Sequence, residues 1–223
     1  MDELKEKILQ GTIRSLETIG IKNLVDTIEK SHKERREYGV AICSNNDTPP
    51  FGEIFLSKMT IGTENNVKFE DCKGTQIGSF HTHIGANNEL SVGDIYAELQ
   101  SKNNFSCMGI TDNKNENKKI ISCSINSYHV NPLVALDFYK KQDKFLRKLK
   151  EYDIHLKTQS GDIRHIDEML SGLDPDKKKI MDDLYLEGLE ADSQLHIEAG
   201  KISKRHKDPD LSINIVTEDI SRK

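Results

Sequence analysis

The sequence predicts an α/β domain followed by a helical extension. Three observations carry this: an opening stretch with apolar residues at helical spacing, a central series of short strand-like runs interrupted by one helix, and a final third in which the period is helical again.

Leu4, Ile8, Leu9, Ile13 and Leu16 recur at helical spacing with charges between them, which predicts an amphipathic helix laying one face on the core. Gly20 interrupts it, and Leu24, Val25 and Ile28 continue the pattern up to the charged run at residues 33–37. The period then changes. Residues 38–43 read as a buried strand, residues 45–52 carry turn chemistry with Pro49 and Pro50, and residues 53–60 alternate like a second strand. Residues 67–70 suggest a third. From Gln76 a strand runs to His83 and gives way to a polar loop at 85–89, after which Ser91 and Asp94 open a helix with Ile95, Tyr96 and Leu99 on its apolar side. Residues 105–110 and 120–125 form a strand pair around an Asn- and Lys-rich loop at 111–119. The α/β domain is expected to span residues 1–128.

Residues 129–223 are expected to form the helical extension. Ala135, Phe138, Phe145, Leu149, Tyr152 and Leu156 fall on the a and d positions of a heptad frame, with Gln142 the only polar entry, so this helix is expected to dock its stripe on a neighbour in the same chain or on a partner. Breaks follow at Ser160 and Gly161 and at Asp174 and Pro175. Ile180, Leu184, Ala191, Leu195 and Ile202 then outline another long helix, and residues 211–216 read as a short strand or a tail.

Composition narrows the function classes. Hydrophobic residues make up 35% and charged residues 31%, a soluble profile, and a formal charge of −5 gives no overall attraction to nucleic acid or to anionic membranes. Neither is expected as a partner. No apolar run approaches the ~20 residues of a bilayer crossing, and the first residues lack the apolar core of a secretory signal, so a cytoplasmic location is expected. The four cysteines, Cys43, Cys72, Cys107 and Cys123, form no Cys-x-x-Cys pair and indicate neither a zinc knuckle nor a thioredoxin-type site. Three of them sit in apolar, strand-like surroundings, where a free thiol acts as a small hydrophobe.

The chemistry lies elsewhere. His81 and His83 are two apart on a strand-like run, so their side chains emerge on one face and can grip one ion together. Asp94 stands at the first turn of the expected helix, where a strand-loop-helix path can bring its carboxylate back to the imidazoles. Two histidines and one carboxylate leave the fourth position of a tetrahedral zinc open to water, which separates a catalytic site from a closed structural one. Such a site lowers the pKa of water from 15.7 toward about 7 and needs a base nearby. Ser91-x-x-Asp94 is also a helix capping box in its Ser-x-x-acid form, and a cap can present its hydroxyl to the site as well.

The joint pattern is His81-Thr82-His83, seven residues (84–90), Ser91, two residues (92–93) and Asp94. It resembles the signature of the JAMM/MPN+ (JAB domain) zinc metalloproteases in all its spacings. The zinc nucleobase deaminase pattern, His-x-Glu with a later Pro-Cys-x-x-Cys, is absent. The resemblance implies an MPN fold, a cytidine-deaminase-like curved sheet flanked by helices. It also implies zinc on His81, His83 and Asp94, with Ser91 holding the oxyanion and an upstream glutamate at the start of a strand as general acid and base. Glu37 fits that place, directly before the run 38–43. Glu34 is the reserve, and Glu53 also begins a strand-like run. The implied activity is hydrolysis of a peptide or isopeptide bond at the C-terminus of ubiquitin or a ubiquitin-like protein. Small peptide or amino-acid conjugates are the alternative within that chemistry, and a non-catalytic MPN-type scaffold is the alternative outside it. The C-terminal helices would serve an oligomer or a protein partner. Ile84 and Leu90 stand where the family commonly has proline; those prolines shape the loop and supply no ligand. The resemblance covers residues 1–128 and not the helical extension.

Overall fold

In the computed structural model the opening pattern forms two helices, α1 (Glu3–Ile19) and α2 (Ile21–Glu34), parted at Gly20. The φ of 86° at that residue suits glycine and strains a side chain, which is why the helix breaks there. The structure describes residues 3–64, 67–84, 90–112, 115–125, 130–154, 170, 172–205 and 212–217. The expected polar loop at 85–89 and the expected domain end at residue 128 lie outside them, as do Leu156, Ser160 and Gly161.

The architecture is α/β, as the sequence predicts. Seven strands form one mixed sheet: β1 (Tyr38–Ser44), β2 (Ile54–Leu56), β3 (Thr60–Ile61), β4 (Thr75–Thr82), β5 (Phe105–Asp112), β6 (Asn115–Ser124) and β7 (Ser212–Thr217). Their order is β2-β1-β4-β5-β6-β7, with β3 beside β1. Among the described strands only β4 and β5 run parallel, and α3 (Val92–Gln100) lies between them in the chain as the crossover helix. Helices α1 and α2 cover one face. Ile8, Leu16, Ile19, Leu24 and Ile28 meet Val40, Ile42, Phe80 and Phe105 there, and full burial of each such side chain contributes roughly 1.5–3 kcal/mol. Leu4 and Ile13, expected on that apolar face, are exposed.

The chain forms two compact units: residues 1–130 with 199–223, and residues 131–198. The second holds α4 (Pro132–Glu151), capped by the Asn131 side chain, and most of α5 (Pro175–Arg205). Leu149, Leu170 and Met181 form its apolar centre. On the heptad frame Ala135, Phe138 and Leu149 are buried, whereas on α5 Ile180 is exposed and Met181 takes its place.

Three local readings need correction. Residues 53–60 form no single strand, because β1 pairs with 54–56 and again with 60–61 and the segment between leaves the ladder. Residues 67–70 are not a strand. The supposed loop 111–119 is mostly paired, with Thr111 opposite Lys119 and Asp112 opposite Asn115, since a ladder set by apolar pairs deeper in the sheet carries polar residues along with it. Cys43, Cys107 and Cys123 are buried as small hydrophobes would be and Cys72 is half-buried, but they are bonded as Cys43–Cys72 and Cys107–Cys123. Disulfides are characteristic of oxidising compartments, so the pairing lends no support to the cytoplasmic expectation. No described helix is long and apolar enough to cross a membrane.

Candidate metal centre

The crossover decides where the centre forms. In a parallel strand-helix-strand unit the end of the first strand and the start of the helix open at the same edge, and polar groups placed there converge. His81 lies at the end of β4, opposite Gly39 on antiparallel β1 and Met108 on parallel β5. His83 follows just beyond the strand, its N–H donating to the Gly109 carbonyl at 3.0 Å. Asp94 occupies the first turn of α3. Ser91 caps that helix reciprocally: its hydroxyl accepts from the Asp94 N–H at 3.1 Å, and the Asp94 carboxylate accepts from the Ser91 N–H at 2.7 Å. The capping box therefore fixes the very carboxylate that faces the imidazoles.

Three side chains meet at this edge. The His81 and His83 Nε2 atoms lie 2.9 Å apart, and each is within reach of one Asp94 oxygen, at 3.4 and 3.3 Å. One ligand atom from each residue falls within 4.8 Å of the others, so the group is close enough to hold a metal ion. Burial alone would lower the pKa of His81, but Asp94, with the charges of Glu98 and Glu37, outweighs it and the net shift is upward. Burial likewise pushes Asp94 up, and hydrogen bonding to both imidazoles reverses this and holds it well below the usual carboxylate range.

Glu37 comes to the same place because β1 begins where β4 ends. Its N–H donates to the Thr63 carbonyl and its carbonyl accepts from the Gly62 N–H, both at 2.8 Å. On its other side the Tyr38 N–H donates to the hydroxyl of Thr82, between the two histidines, at 2.9 Å, and Thr82 donates to Ser31 on α2 at 2.7 Å. The side chain is 8% exposed. Desolvation raises its pKa, with His81 and His83 pulling the other way.

Glu37, His81, Ser91, Gly93, Asp94 and Glu98 line one cleft of about 350 Å³ with Val67, Phe69 and Ala97. Four of the five residues singled out from the sequence line this cleft, and the fifth, His83, joins them through His81 and Asp94. The reserve candidates stand apart: Glu34 accepts the Tyr38 hydroxyl at 2.5 Å, and Glu53 is outside the described lining.

Two groups of lining residues escaped the sequence reading. Val67 and Phe69 form an apolar wall, with Phe69 set edge-on to the His81 ring at 6.3 Å between centroids. They come this close because β1 carries glycine at 39, where a Cβ would lie 2.7 Å from Phe69 and 3.0 Å from Val67. Their alternation with exposed Lys68 and Glu70 is the signal, which the strand reading misassigned. The other is Glu98, 4% exposed, which accepts hydrogen bonds from Ser79 and Asn103. Its spacing of four from Asp94 put both on one helix face.

Compared with family models, curated proteins and solved structures, the chain matches none.

Proposed function

We propose that this protein is a zinc-dependent hydrolase of peptide or isopeptide bonds, of the JAMM type and built on an MPN-like sheet. The observation that carries the reading is the convergence of His81, His83 and Asp94 on one point, with Glu37 in the same cleft. The β4-α3-β5 crossover, with ligands at the strand end and the helix start, supports the MPN-like assignment.

The donor set fits the ion. Atoms bonded to a tetrahedral zinc at about 2.0–2.1 Å lie roughly 3.3–3.4 Å from one another. The two nitrogen–oxygen spacings, 3.4 and 3.3 Å, agree, and the nitrogen–nitrogen spacing of 2.9 Å is shorter. A zinc ion held here supplies a Lewis acid and brings the pKa of water down toward about 7. The remaining work falls to the chain. Glu37, its pKa raised by burial, takes a proton from the attacking water and returns it to the leaving amine, the usual duty of a general base near neutrality. Ser91 accepts one hydrogen bond in the cap and keeps its own proton for donation to the oxyanion that forms as the carbonyl is attacked. Val67 and Phe69 shield one side of the cleft from water.

An extended tail with small residues near the cut suits a cleft of this size walled by Val67 and Phe69. The C-terminus of a ubiquitin-like protein is the first substrate to try, and short peptide conjugates are the second. Purified wild-type protein is expected to hold about one zinc per chain, and His81→Ala and Asp94→Ala to lose it. Glu37→Gln is expected to stay folded and loaded, with turnover reduced by about 10² to 10⁴. Metal content unchanged in the ligand variants, or wild-type turnover in Glu37→Gln, would overturn the reading.

A further inference from the structure

We propose that Glu98 is a positioning residue for the metal centre: it locks the helix that carries Asp94 onto the strand that carries His81, without joining the ligand set. The inference rests on the metal-site reading above.

The geometry is that of a ladder with two rungs. Ser79 precedes His81 by two residues on β4, so both point to the same face of the sheet, while Glu98 follows Asp94 by four residues on the same face of α3. The rungs are Ser79 with Glu98 and His81 with Asp94. Strand and helix run in opposite directions past each other. Two strand residues advance ~6.7 Å and four helix residues ~6 Å, so the two rungs are nearly equally spaced on both elements. Fixing one therefore fixes the separation at the other.

Glu98 is well placed to do the fixing. Its carboxylate accepts from the hydroxyl of Ser79, which is fully buried, and at 2.5 Å from the amide of Asn103, which is 2% exposed. The Asn103 N–H also donates to the Glu98 carbonyl at 2.9 Å, and the Asn104 N–H donates to Ile77 on β4 at 2.8 Å. The carboxylate thus joins β4, α3 and the turn into β5. A buried carboxylate costs desolvation energy that a leucine would not, so packing alone gives no reason for one here. The ligands also lack a common form of support. Histidines that bind metals usually give their second ring nitrogen a hydrogen-bonding partner, yet among the described residues nothing meets Nδ1 of His81. Its orientation is left to the strand, to the edge of Phe69 and to the rung beside it.

The test uses the full chain and needs no substrate. Zinc affinity is measured by competition with a chromophoric chelator, and cobalt(II) is loaded to saturation so that its visible absorption reports coordination geometry. Glu98→Ala is expected to bind zinc about 10- to 100-fold more weakly, the scale of lost outer support, and to shift the cobalt bands. Glu98→Gln, which keeps an acceptor oxygen, is expected to recover most of both. Ser79→Ala removes a single hydrogen bond and keeps the carboxylate; it is expected to weaken affinity by a smaller factor, and it decides the matter if Glu98→Ala does not fold. Wild-type affinity and an unshifted cobalt spectrum in the folded variants overturn the proposal, even if their melting temperatures fall. A wild-type protein that takes up neither ion overturns the metal-site reading together with it.

Discussion

Burial acts on Glu37 and Glu98 in the same direction, with different consequences. For Glu37, desolvation is opposed by the two imidazoles, and the net shift is upward. For Glu98, desolvation outweighs the hydrogen bonds from Ser79 and Asn103 and drives the pKa from 4.5 to about 7. A folded-state pKa above the unfolded value means that the folded protein holds this proton more tightly. The stability it contributes is complete below pH 4.5 and is lost as pH rises to about 7. Asp94 carries the opposite sign, since its depressed pKa contributes stability that is lost as pH falls. In chelator-treated protein, Glu98→Gln cannot ionise at this position, so it should gain stability relative to wild type between pH 4.5 and 7. Urea midpoints across that range read the effect directly, and a constant difference between the two proteins would mean that Glu98 titrates as an ordinary carboxylate.

Among the elements, β4 does most to align the centre, because its two faces serve different ends. Ser79 and His81 face α3, while Thr82 turns the other way and binds Ser31 on α2 and the peptide after Glu37. One strand thereby holds His81 and indexes Glu37 against it. Thr82→Val keeps the shape and leaves the Tyr38 N–H without its acceptor, a loss worth about 1–3 kcal/mol. We expect that destabilisation in urea melts, with rescue by Thr82→Ser; Thr82→Val as stable as wild type would show that the hydroxyl ties nothing down. The parts of this arrangement differ in how visible they are in the sequence. Strand periodicity put His81 and His83 on one face, and the spacing on to Ser91 and Asp94 grouped all four through the resemblance to a known signature. Glu37 was readable only through that resemblance, with Glu34 and Glu53 left as alternatives. Glu98 was not, because a glutamate in the second turn of a helix looks like any solvated charge until the partner strand is known. Val67 and Phe69 depend on Gly39 in another element, and no pattern within residues 67–70 names that neighbour.

For the whole molecule, the main surprise is how the chain ends. Residues 212–217, Ser-Ile-Asn-Ile-Val-Thr, alternate as a strand should, but their partner β6 lies about ninety residues earlier and nothing local announces it. The pairing runs from Lys119 with Thr217 to Ser124 with Ser212, and it covers what would otherwise be an open sheet edge. The last turns of α5 belong to the same unit: Ala199 and Ile202 are buried, and the Ser203 hydroxyl donates to the Leu90 carbonyl at 3.2 Å, directly before the Ser91 cap. The first unit is therefore discontinuous, and the end of α5 supports Leu90, directly before the cap of α3. Residues 131–198 form an insertion whose two ends lie together, since the Asn131 N–H donates to the Glu198 carboxylate at 3.0 Å. This separates two deletions that the sequence alone would treat alike. A chain stopped after Val130 loses β7 and the support at Leu90, and is expected to aggregate or to bind zinc poorly. A chain in which residues 132–197 are replaced by a short Gly/Ser linker keeps both, and is expected to melt cooperatively and to hold about one zinc. Zinc content and thermal melts of the two proteins decide it: if the chain stopped after Val130 folds and binds as well as the linked one, β7 and the end of α5 are dispensable to the centre.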